Sequence, residues 1–152
     1  MYTIITLLQI LVITIYVAFI YKRYGKLTSI SASTYYLEGN DRWYFLAFLW
    51  SVAFLNLFQG MEVYGFLGAA GLMFTGITID HESSAAHTDR VHQVGTVGAI
   101  IAMFIGLWVI HGMWIPTAVL AISTALLYKN RYFIWWIEII AFALVMISYL
   151  LR

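Results

Sequence analysis

The sequence predicts an all-α, polytopic membrane bundle of six transmembrane helices with both termini outside. Three observations lead there. Of 152 residues, 63% are hydrophobic and only 10% are charged, against about 25% charged in ordinary soluble domains, and mean hydropathy is +0.88. Six apolar runs approach the ~20 residues that a helix needs to cross a bilayer. Seven of the eight basic residues fall in alternate connections, the pattern of charge retained on the cytoplasmic side.

The first run, Tyr2–Tyr21, contains no charge. It lacks a basic leading region and a small-residue cleavage site, so it reads as a retained span and not as a signal peptide. The second, Trp43–Gln59, and the third, Met61–Thr78, meet at Gln59-Gly60 with almost no loop. A rival count of five spans makes the 43–78 stretch partly re-entrant. The fourth run is His92–Ile110, the fifth Met113–Tyr128 and the sixth Tyr132–Leu151. Together they make residues 1–152 a single transmembrane domain. The runs are continuously apolar, unlike the alternating strands of a membrane barrel.

The connections 22–42, 79–91 and 129–131 carry Lys22, Arg23, Lys26, Arg42, Arg90, Lys129 and Arg131, whereas the opposite side carries only Arg152. These three connections are therefore expected on the cytoplasmic face of the cell (inner) membrane. Tyr24, Tyr35, Tyr36, Trp43, Tyr44, Tyr128, Tyr132, Trp135 and Trp136 form an aromatic belt at that face. Spans three and four carry small residues four apart, at Gly65 and Ala69, Gly71 and Thr75, Gly95 and Ala99, and Ala102 and Gly106. That spacing lets helices approach closely in a membrane.

A net charge of +1 without a basic stripe argues against a nucleic-acid partner. The absence of cysteine excludes disulfides and thiolate metal sites. The lipid bilayer is the one partner implied directly.

Chemistry concentrates in residues 80–92, where Asp80, His81, Glu82, His87, Asp89, Arg90 and His92 lie between two apolar runs. Ionisable residues at such places are costly and usually functional. His92 reads as the opening of the fourth helix, with Asp89 one turn earlier as a cap favoured by the helix dipole. Glu138, six residues into the last run, is about 9 Å below its start and flanked by Trp135, Trp136, Ile137 and Ile139. It is expected to pair with His92 or Arg90, or else to snorkel to the headgroups. At the outer end a second polar layer holds Asn56, Gln59, Glu62 and His111.

Zinc is one reading of the cluster, with His81, His87 and His92 as ligands and an open position for water. No His-Glu-x-x-His is present, and on one continuous helix His81 and His92 would lie ~16 Å apart, so only a folded loop unites them. No cofactor is expected otherwise. No Gly-x-Ser-x-Gly marks a nucleophile. The segment Ser29-Ile30-Ser31-Ala32-Ser33-Thr34 reads either as a solvated loop or as an interfacial piece whose hydroxyls satisfy backbone groups.

The run Ser29–Tyr36, the aromatic start of the second span, Arg90-Val91-His92-Gln93-Val94-Gly95 and Glu138 together resemble a group of small uncharacterised six-helix membrane proteins of Bacteroidetes and their phages. A fainter similarity runs to the Frag1/DRAM and DUF998 membrane families. The resemblance implies His92 and Glu138 as shared positions and brings no activity with it.

Three functions follow. The first is a polar pocket at the cytoplasmic side that binds or conducts an ion, proton or lipid headgroup. No continuous polar stripe joins the two layers within one subunit, so a pathway calls for a water-filled gap or a homo-oligomer. The second is a metal-dependent hydrolase acting on a lipid amide or ester, by fold-level analogy with ceramidase-like enzymes. The third is a non-catalytic accessory protein. The first is the reading the two layers favour.

Overall fold

The computed structural model describes residues 1–37, 41–77 and 85–152, and the side chains of all these except 77 and 85–90. Within them the chain is all-α. Helix α1 spans Tyr2–Tyr24, a short 3₁₀ helix Ser31–Tyr35, α2 Arg42–Leu57, α3 Glu62–Ile77, α4 Ala85–His111, α5 Ile115–Leu127 and α6 Phe133–Leu151. Three stretches are long and apolar enough to cross a membrane, namely Tyr2–Tyr24, Val91–His111 and Phe133–Leu151. Helices α2 and α5 are apolar but shorter. The 13 residues of α5 span about 20 Å at 1.5 Å per residue, and Pro116 fixes where it starts.

Five helices close a ring, with α1 against α2, α2 against α3, α3 against α4, α4 against α6, and α6 back against α1. Helix α5 packs on α6 outside the ring, and none of its residues is buried. The interior is aromatic and aliphatic. Tyr16 of α1 stacks on Phe48 of α2 with ring centroids 4.2 Å apart, and Phe45, Leu107, Trp135 and Tyr149 are fully enclosed. The close approach expected of spans three and four is present. A Cβ on Gly71 would lie 2.7 Å from the carbonyl oxygen of Gly95, so only glycine admits this contact. Helices α2 and α3 are joined through Gly60, whose φ of +68° suits a residue without a side chain.

Two expectations need correction. Helix α4 is already formed at Ala85, where the described residues resume, and does not open near residue 92. Position 89 is therefore inside the helix and does not cap it, and His92 lies two turns in. The mostly polar residues 85–91 hid this turn of helix, because an apolar run does not mark where a helix begins. Trp135, assigned to the aromatic belt, is instead a core residue, 2% exposed. Of the two readings of the serine-rich segment, the structure shows the ordered one, with Leu27, Ser29, Ile30, Ser33 and Leu37 all buried.

Candidate functional site

The inserted segment is built around Glu138. This side chain projects from α6 into the ring and is 6% exposed. Its Oε2 accepts from the backbone N–H of Ile30, and from that of Ser31 at 3.4 Å. Its Oε1 accepts from the Ser31 hydroxyl at 2.7 Å. The serines then fold the segment on itself. Ser29 Oγ accepts from the Ala32 N–H at 2.8 Å and lies 3.1 Å from Ser31 Oγ. Ser33 Oγ meets the Tyr16 hydroxyl at 2.6 Å. The first turn of α6 joins in, since the Trp135 N–H donates to Thr28 O at 3.0 Å. A segment too polar to enter lipid alone thus reaches the interior with its backbone groups engaged.

Above Glu138 and Ser31 lies an internal cavity of about 40 Å³. One water needs roughly 10–15 Å³ of such volume, so there is room for a few. Phe45, Phe48, Leu72, Met103 and Val145 supply apolar walls, with Thr75 and Thr96 adding hydroxyls 3.3 Å apart. A carboxylate has about four lone-pair directions, and the donors from Ile30 and Ser31 occupy three. One remains for a proton, a water or a cation from the cavity. The ion pair among the described residues, Arg23 with Asp41 at 2.8 Å, is on the surface and away from this carboxylate.

His92 is buried on α4, with its ring 6.3 Å from that of Phe45, which also lines the cavity. Phe45 thus touches the His92 ring and lines the cavity that Glu138 also lines, while the donors to Glu138 come from residues 30 and 31. Of the other sequence-predicted residues, Asp80, His81 and Glu82 lie outside the described residues. For His87, Asp89 and Arg90 only the helical backbone is described. Positions 87 and 92 are five apart on one helix, about 140° around its axis, so they do not share a face. Among the described residues no group of three His, Asp or Glu side chains is placed to hold a metal ion.

The opposite end holds the second polar layer. Gln59 Nε2 donates to Thr6 Oγ1 at 2.9 Å and to Gln9 Oε1 at 2.6 Å, and Gln59 Oε1 accepts from Arg152. Tyr149 donates to Asn56 Oδ1 at 2.8 Å, and Asn56 donates to Gly65 O at 3.1 Å. Arg152 lies 3.1 Å from His111 Nε2 and between the rings of Tyr2 and Tyr149, at 4.8 and 4.7 Å. Asn56 and Gln59 take the places expected of them, but Glu62 is exposed. Thr6, Gln9 and Tyr149 were not anticipated. Threonine and glutamine three apart on an otherwise apolar first span were the available signal.

No protein-family model matches the chain, no curated protein is significantly similar to it, and no solved structure matches its fold.

Proposed function

We propose that this chain is a six-span cell-membrane protein with both termini outside, whose Glu138 binds and releases a proton at the cytoplasmic end of the bundle. The observation that carries this reading is the Glu138 carboxylate, buried at the floor of an internal cavity with a lone pair free and without an ion pair among the described residues. Charge-assisted hydrogen bonds from Ile30 and Ser31 are strongest to the ionised form. Protonation weakens them, loosens the 29–33 segment, and opens the cavity towards the cytoplasm. The basic residues of the 22–42 and 129–131 connections and the exposed Trp43, Tyr44 and Tyr128 support that orientation.

The test is proton flux into vesicles loaded with a pH-sensitive dye, under an imposed membrane potential. Wild type is expected to conduct through a water-filled gap or a homo-oligomer, since no polar stripe joins the two layers of one subunit. Glu138→Gln keeps an acceptor for the inserted segment but cannot ionise, so flux should fall at least tenfold while the melting temperature in detergent stays close to wild type. Flux unchanged in Glu138→Gln would leave Glu138 as a purely structural tether.

A further inference from the structure

An open groove of about 560 Å³ runs between α1 and α6 on the outside of the ring, in the size range of ligand pockets. Ile10, Ile13 and Val17 wall one side, and Ile139, Phe142 and Met146 the other. Small residues hollow it out, with Thr14 and Ala18 on α1 and Ala143 on α6. From residue 10 to residue 21 its α1 wall is about 16 Å long at 1.5 Å per residue. One leaflet of hydrocarbon is about 15 Å, half of the ~30 Å core. The groove therefore has the length of a single acyl chain.

A cation and two aromatic rings lie beyond the basic end of the groove, outside the residues that line it. Trp136, Ile139 and Ala143 follow one another at helical spacing along α6, so the groove face continues to the Trp136 ring, with Tyr132 just before the helix. Helix α1 stops at Gly25, whose φ of +74° is left-handed and favours glycine, and the turn brings Lys26 across. Lys26 Nζ lies 4.5 Å from the centre of the Trp136 ring and 5.3 Å from that of Tyr132. The Arg23–Asp41 ion pair does not involve Lys26.

We infer that this groove is a phospholipid site selective for an anionic headgroup. One acyl chain lies between α1 and α6, and the phosphate sits at Lys26 beside Trp136 and Tyr132. Basic pockets between helices at a cytoplasmic face are suited to such headgroups. The far wall of the site is Ile30, which lines both the groove and the Glu138 cavity. The inference rests on the membrane placement proposed above and not on any role for Glu138, so flux assay and lipid assay fail independently.

The experiment counts lipids retained by the detergent-purified full chain in native mass spectrometry, after incubation with equal amounts of phosphatidylglycerol and phosphatidylcholine. Wild type should retain phosphatidylglycerol preferentially. Lys26→Gln should reduce that preference about fivefold, the equivalent of about 1 kcal/mol for one cation near the membrane surface. Ala18→Trp and Ala143→Phe, which fill the groove from opposite walls, should each abolish retention of both lipids without lowering the melting temperature. Equal retention of the two lipids by wild type, or retention unaffected by either filling variant, overturns the site. So does a wild-type dimer that Ala18→Trp splits into monomers, because the groove would then hold a second copy of the chain.

Discussion

The two polar layers of this bundle are built on opposite principles. At the Arg152 end, side chains from α1, α2, α4 and α6 interlock, and Gln59 alone engages Thr6, Gln9 and Arg152. At the Glu138 end, one carboxylate is tied to one inserted segment and borders an apolar cavity. In the first layer most polar side-chain atoms engage each other, with Arg152 Nε left unpaired, and the layer is suited to holding helices together. The second leaves a titratable group with space beside it, which is an arrangement suited to exchange with something that comes and goes. A buried polar residue in a membrane protein is thus informative chiefly through what its remaining lone pairs and protons face.

The contrast breaks most visibly at Gln59. Gln59→Leu is similar in size but removes the donor to Thr6 Oγ1 and Gln9 Oε1 and the acceptor for Arg152 Nη2, and each buried group left unsatisfied costs about 1–3 kcal/mol. A loss of about 3 kcal/mol is expected, read as a lower unfolding midpoint in detergent, with proton flux through the remaining folded protein unchanged. A variant that instead lost flux at full stability would show that the two layers are not separable in this way.

At the other layer the effect should be smaller and depend on the replacement. Glu138→Leu removes every acceptor for the Ile30 and Ser31 N–H groups, and about 2 kcal/mol is expected to go with them. Glu138→Gln keeps an acceptor and should cost less than about 1 kcal/mol. Limited proteolysis between residues 26 and 37 reads the same difference directly, with faster cleavage in the leucine variant and near-wild-type cleavage in the glutamine variant. Equal cleavage in both would mean that the inserted segment is held mainly by Leu27, Ile30 and Leu37.

What was legible in the sequence follows the same division. Apolar runs mark where long helices lie, and the six α-helices fall on them, three of the described stretches being long and apolar enough to cross a membrane. Glu138 was legible because a carboxylate among isoleucines and tryptophans has few bland explanations. Its partners were not, because Ser31 and Glu138 are 107 residues apart and nothing local in a run of serines names a distant acceptor. An ordered segment was one of two readings of these serines, and its tie to Glu138 was hidden for that reason. Trp135 was misplaced because composition cannot say which side of a helix faces the core, and only Trp135 of the Trp135-Trp136 pair turns inward. The polar residues of α1 were overlooked because hydroxyl and amide groups scarcely lower the hydropathy of a 23-residue helix.

The smallest expected effect sharpens the comparison further. Tyr149→Phe deletes one hydroxyl, which donates to Asn56 Oδ1 at 2.8 Å. Hydrogen bonds between membrane helices average about 0.6 kcal/mol, because the loosened chain finds other partners. Asn56 retains its bond to Gly65 O, and the ring at position 149 keeps its place under the Arg152 guanidinium. A loss of only about 0.6 kcal/mol is therefore expected in a double-mutant cycle with Asn56→Ala. A coupling several times larger would mean that the Arg152 layer acts as one cooperative unit, in which no single bond is redundant. In that case the rigidity of the Arg152 end, and not the cavity alone, would set how far the Glu138 end can open.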